Sequence, residues 1–118
     1  MTRPAITSAT LEHLRITPKT IWSFVQLSTD DGHVGFGEAS LPNRPAAVLE
    51  AANTWLADIV GRPAAVAEIT RAAGGRSGLG DAAVVSALDM ALHDVAAKAE
   101  GVPVHVRLGG AKRDEIAL

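Results

Sequence analysis

Apolar residues alternate with polar ones in the first third of the chain and recur at three- and four-residue spacing after residue 43, so strands are predicted first and helices second. Residues 5–15 and 21–29 are rich in β-branched and apolar types without helical spacing, and in the second run Ile21, Ser23, Val25 and Leu27 share one face. Both read as strands. Asp30-Asp31-Gly32 supplies turn chemistry, because Asp tolerates tight turns and Gly accepts a positive φ, and His33 to Ala39 resumes an extended pattern. A β-hairpin follows. Trp22 and Phe24 fall on the face opposite Val25 and Leu27, which predicts that the start of this strand is covered on both sides, with helices as the cover.

The first predicted helix has Asn43 as its cap and Val48, Leu49, Ala52, Leu56, Ile59 and Val60 as its apolar stripe, with Gly61 and Pro63 ending it. A shorter helix is expected from Ala64 to Ala73, where Val66, Ile69 and Ala73 form a weak stripe closed by Gly74-Gly75. The third begins at Asp81 as N-cap and carries Val84, Val85, Leu88, Ala91, Leu92, Val95 and Ala99 on one stripe, with Ser86, Asp89, His93 and Glu100 opposite. Asp94 and Lys98 are spaced for an ion pair on that helix. Gly101 and Pro103 stand where a Schellman stop needs them.

A chain of 118 residues fits one domain and cannot hold a (β/α)8 barrel, which takes about 250. Its net charge of -2 and 20% charged residues give no reason to expect a nucleic-acid partner, and no apolar run is long enough to span a membrane. Without cysteine, disulfides, thiolate metal sites and thiol nucleophiles are excluded. A soluble, cytoplasmic protein is the expectation. Two Trp and two Phe are the whole aromatic complement, so the abundant alanines must pack helices by close approach.

Three features invite chemistry, and each has a structural alternative. Gly78-Leu79-Gly80-Asp81-Ala82-Ala83 matches G-x-G-x-x-A before a helix, but a helix precedes it where a dinucleotide site needs a strand, and Asp81 sits where phosphate would bind. Asp89 and His93 are four apart on one helix, but two ligands do not make a metal site. Glu38, after Gly35-Phe36-Gly37, has no sequence-local partner for acid–base work, and the flanking glycines point to close backbone approach. No catalytic residue and no metal ligand is assigned to this chain.

The pattern GxGE after the hairpin, here Gly35-Phe36-Gly37-Glu38, occurs together with SAxDxALWDxxGKxxGxPxxxLLGG, here Ser86 through Gly110 with Asp89, Asp94, Lys98, Gly101, Pro103 and Leu108 in place. Jointly and in this order they resemble the amino-terminal capping domain of the mandelate racemase and muconate lactonizing enzymes of the enolase superfamily. Three positions depart from the pattern: His93 for Trp, Ala97 for Gly and Arg107 for Leu.

The resemblance implies an α+β fold, a three-stranded antiparallel meander followed by about three helices. Residues 1–111 would form the capping domain, and 112–118 either the start of the missing barrel or a disordered tail. It further implies a parent enzyme in which magnesium, held by barrel carboxylates, assists removal of the proton α to a carboxylate. This chain alone would be inactive, with the barrel domain as partner and a small carboxylate as the parent's substrate. Acid-sugar dehydration is favoured, with a cycloisomerase, a racemase or epimerase, or a stand-alone interaction module as alternatives. Two loops, Arg15 through Thr20 and Ser40 through Pro45, would close over the substrate, and Thr17, Lys19, Asn43 and Arg44 are their candidate binding groups. A surface built for the barrel would lie open, so self-association through the apolar patch or a disordered Lys112–Leu118 tail is expected.

Overall fold

In the computed structural model, which describes residues 3–73 and 78–118, three strands precede the helices. They are β1 (Ile6–Thr17), β2 (Thr20–Thr29) and β3 (Val34–Glu38), paired antiparallel in the order β1-β2-β3. The meander follows from the turns: Pro18-Lys19 joins β1 to β2, and Asp30 to His33, with Gly32 at φ 86°, joins β2 to β3. Thr29 donates its hydroxyl to Asp31, which, together with His33, holds that carboxyl below the usual aspartate range.

The helices are α1 (Pro45–Ile59), α2 (Val66–Ala73), α3 (Leu79–Glu100) and a single turn, α4 (Val104–Arg107). The core lies between one face of the sheet and α1 and α3, where Val25, Leu27, Val48, Trp55, Val84, Leu88 and Leu92 are buried. Two glycines set how close α3 comes. A Cβ on Gly37 would collide with the Ala87 carbonyl, and one on Gly35 with the Ala91 carbonyl and the Val95 side chain. Helix backbone therefore rests directly on β3, the close approach that the alanine-rich composition demands.

The ion pair of Asp94 and Lys98, at 3.0 Å, does more than staple the helix surface. Phe36 N–H donates to Asp94 Oδ2 at 3.0 Å, and Lys98 Nζ donates to the Val34 carbonyl at 2.7 Å. Both backbone groups belong to the unpaired edge of β3, so α3 side chains take the place of a fourth strand. Gly101, at φ 72°, ends α3, with its N–H on the Lys98 carbonyl and that of Val102 on the Ala97 carbonyl, the expected Schellman stop.

Four expectations are corrected. Asn43 does not cap α1: it adopts φ 58°, Arg44 is the cap residue, and Pro45 opens the helix with its preset φ. Asp81 lies inside the first turn of α3, behind Gly78 as cap residue, and its carboxylate accepts from Trp55 Nε1 at 2.9 Å. The buried stripes also rotate. Ala51 and Trp55 replace Leu49 and Val60 in α1, and Ala87 and Ala97 are buried in α3 while Ala99 is exposed. Finally, the helices cover only one face of the sheet, leaving Trp22 45% and Phe36 52% exposed on the other. The expected stop at Gly74-Gly75 and the side chain of Ala73 lie outside the described residues.

Candidate functional site

The tip of the β1–β2 hairpin is tied by its own polar groups. Lys19 N–H donates to Thr17 Oγ1 at 3.2 Å, and the Arg15 guanidinium donates to the Pro18 carbonyl at 3.2 Å. A shift in pairing register between Arg15 and Thr17 bends the strand end there.

Facing the tip is the segment from Glu38 to Pro45. Ala39 N–H donates to the Ser23 carbonyl at 2.8 Å, and Ser23 N–H donates to Ser40 Oγ at 2.9 Å, so the chain stays on β2 past the end of β3. Ser40 in turn donates its hydroxyl to Glu38 Oε1 at 2.8 Å. Behind this, the buried Ser23 hydroxyl lies 2.7 Å from His13 Nδ1. The carboxylate of Glu38 is thus oriented by a serine fixed through backbone and side chain.

Between the two walls runs an open cleft of about 710 Å³. Lys19 and Asn43, from the two predicted loops, both line it, while Thr17 and Arg44 do not. The Thr17 hydroxyl is engaged by the turn, and Arg44, the exposed cap residue of α1, makes no side-chain cap hydrogen bond. Arg15, Glu38, Ser40 and Trp22 also line the cleft, and the sequence reading did not select them as binding groups. For Ser40 a signal existed: it lies two residues beyond Glu38, where an extended chain returns the side chain to the same side.

The cleft sets two cations, Arg15 and Lys19, against one carboxylate, Glu38, with Ser40 and Asn43 on the carboxylate's side and Thr20 beside the cations. Such a set suits a small anion that also carries hydroxyls: the cations offer charge-assisted donors and the carboxylate accepts from hydroxyl groups.

The other candidates fall into structural roles. Asp89 and His93 are 3.9 Å apart, and His93 Nδ1 lies 2.7 Å from an Arg107 guanidinium nitrogen, which also places Arg107 3.2 Å from Glu100. Two of the three departures from the sequence pattern are therefore each other's partner. The glycine motif at Gly78 opens α3 with the Asp81 carboxylate in its first turn, bonded to Trp55. Among the described residues no three His, Asp or Glu side chains gather as a metal site, and no helix is long and apolar enough to cross a membrane.

The family described as mandelate racemase / muconate lactonizing enzyme, N-terminal domain, matches residues 6–109. A D-galactonate dehydratase of Pectobacterium atrosepticum is 39% identical over 108 residues, covering 86% of this chain and 28% of that protein. Among solved structures, a muconate cycloisomerase from Azorhizobium caulinodans superposes with a TM-score of 0.81 at 29% identity, over 94% of this chain and 32% of the other. A mandelate racemase/muconate lactonizing protein from Paracoccus denitrificans, complexed with magnesium, gives 0.81 at 28% identity, over 93% and 31%. The chain spans under a third of each of these relatives.

Proposed function

We propose, from the premise that this chain belongs to the mandelate racemase / muconate lactonizing enzyme family as its amino-terminal domain, that it is the capping, substrate-selecting part of an acid-sugar dehydratase. The observation that carries this reading is the cleft. Two loops from distant parts of the chain present Arg15 and Lys19 on one wall and Glu38, Ser40 and Asn43 on the other. The cations hold the distal polar end of the substrate, while Asn43 and the Ser40-oriented Glu38 receive hydroxyls. Thr17 and Arg44, in the same two loops, would contact a longer substrate. The likeness to a D-galactonate dehydratase supports the choice of reaction.

The proposed reaction removes the proton α to the carboxylate and expels the β-hydroxyl as water, and the resulting enol tautomerises by taking a proton at C3 to give a 2-keto-3-deoxy acid. The base that takes the proton and the magnesium ion that assists it are assigned to a barrel domain. The described residues of this chain gather no ligand cluster for such an ion. Residues 1–111 act as the cap and 112–118 lead toward the barrel, in the cytoplasm.

The test is a longer reading frame continued past Leu118, assayed with magnesium against a panel of sugar acids that begins with D-galactonate. Formation of the 2-keto-3-deoxy product, reduced by Lys19→Ala mainly through KM, is the expected result. Silence across the panel would remove the dehydratase assignment and leave the family. A cycloisomerase is the second reading, favoured by the Azorhizobium caulinodans structure, and muconate in the same panel detects it. A natural stop after Leu118 would point instead to a stand-alone binding module.

A further inference from the structure

The charges of the cleft do not balance. Arg15 and Lys19 against Glu38 leave one positive charge over, and among the described residues none of the three makes an ion pair. Each cation is placed by the hairpin tip instead of by a counter-charge. The Arg15 guanidinium donates to the Pro18 carbonyl at 3.2 Å, and the Lys19 backbone is tied to Thr17 Oγ1 at 3.2 Å, so the Lys19 ammonium is positioned from behind and its donors stay available. Glu38 is engaged differently. Its Oε1 accepts from Ser40, whose oxygen already accepts from Ser23 N–H, so that wall offers further acceptor capacity beside the Asn43 amide.

In open water such an imbalance costs little. In a cap closed over a barrel, water leaves the cleft and a cation without a counter-charge becomes strongly unfavourable. We infer, resting on the capping reading above, that the substrate is an aldaric acid, a hydroxylated chain with a carboxylate at each end. The reacting carboxylate is assigned to the barrel, so the one that meets Arg15 and Lys19 is the distal one. That single negative charge brings the cleft to neutrality. A terminal CH2OH, the end of an aldonic acid, would leave the positive charge buried and would exchange charge-assisted hydrogen bonds for neutral ones about half as strong. Like charge keeps the distal carboxylate off the Glu38 wall, which therefore receives the neighbouring hydroxyls and fixes how the far end lies.

D-Galactonate and galactarate isolate this end, because they differ only in whether carbon 6 is CH2OH or carboxylate. The test is steady-state kinetics of the longer chain with magnesium on this pair and on aldonate–aldarate pairs of other configurations, with Lys19→Met and Lys19→Arg as variants. Lys19 is exposed, so both variants should fold, and circular dichroism checks that they do. The expected result is a kcat/KM for the aldarate about tenfold or more above that of its aldonate. Lys19→Met should lower the aldarate value about tenfold further than the aldonate value, mainly through KM, while Lys19→Arg keeps the preference. Aldonates turned over as well as aldarates, or an equal loss on both in Lys19→Met, would overturn the inference and leave the dehydratase in place. No turnover of either acid, or a natural stop after Leu118, would overturn the capping reading and this inference together.

Discussion

The two faces of the sheet divide the residue sizes in an unexpected way. The inner face on β3 carries Gly35 and Gly37 against the alanines of α3, while the outer face carries Trp22, Phe24 and Phe36, of which Trp22 and Phe36 stay about half exposed. A sheet covered by ordinary side-chain contact would reverse that distribution. Here burial is achieved by bringing helix backbone onto strand backbone, which leaves no room for bulk on β3 and leaves the large residues to the open side. The inner face is a fixed seam; the outer face keeps its large side chains partly in solvent.

Gly37→Ala attacks this contrast most directly and should have the largest effect. The added methyl meets the Ala87 backbone, which cannot rotate away, so α3 must shift along its whole contact with β3. A loss of about 3 kcal/mol in denaturant unfolding is expected. Phe36→Thr, one residue away and with far more atoms removed, should cost no more than about 1 kcal/mol, because its ring is half exposed and Thr suits a strand. If the two costs came out equal, the two faces would not differ as described.

Asp94→Ala is the next test, aimed at the border between the faces. It releases the Phe36 N–H at the sheet edge and loosens Lys98, which caps the Val34 carbonyl. About 1.5 kcal/mol of stability should go, with faster amide exchange at Phe36 than at Gly35, since only the former loses its acceptor. Uniform exchange along β3 would mean that the edge is held by packing alone.

How far the sequence reveals this arrangement differs by region. The meander, the Schellman stop at Gly101 and the family pattern are legible, because turn glycines and strict alternation fix them locally. The covered face is not, because a period of two sorts Ser23, Val25 and Leu27 from Trp22 and Phe24 without saying which set meets a helix. The α1 stripe turns because the helix starts at Pro45 and buries Trp55, whose Nε1 needs the Asp81 carboxylate from another helix. In the cleft, Lys19 and Asn43 are legible as loop residues, whereas Glu38 and Ser40 depend on the chain clinging to β2 beyond β3, a long-range pairing. The His93–Arg107 contact is the same kind of case: two isolated departures from a pattern, 14 residues apart, acquire meaning only when α4 folds back onto α3. A double-mutant cycle with His93→Ala and Arg107→Ala should give a coupling of about 0.5–1 kcal/mol, and a value near zero would make their proximity incidental.

The smallest expected effect lies at the β2–β3 turn, where Asp30 is tied to Ala5 through its N–H and its carboxylate and the Thr29–Asp31 hydroxyl bond adds one local contact. Thr29 is buried and donates its hydroxyl to Asp31, the leading reason that carboxyl titrates below its ordinary value, with His33 adding to it and partial burial opposing it. A group whose pKa is lowered by folding stabilises the fold at pH above its unfolded value, about 3.9, and loses that contribution as pH falls through the lower folded value. Thr29→Val keeps the shape of the side chain and removes the donor. The Asp31 carboxyl, followed by its 13C shift, should then titrate closer to the ordinary value, and stability should fall less steeply with acid below pH 4. An unmoved titration would place the effect with His33, and the turn would then be held by its charged pair rather than by the last buried hydroxyl of β2.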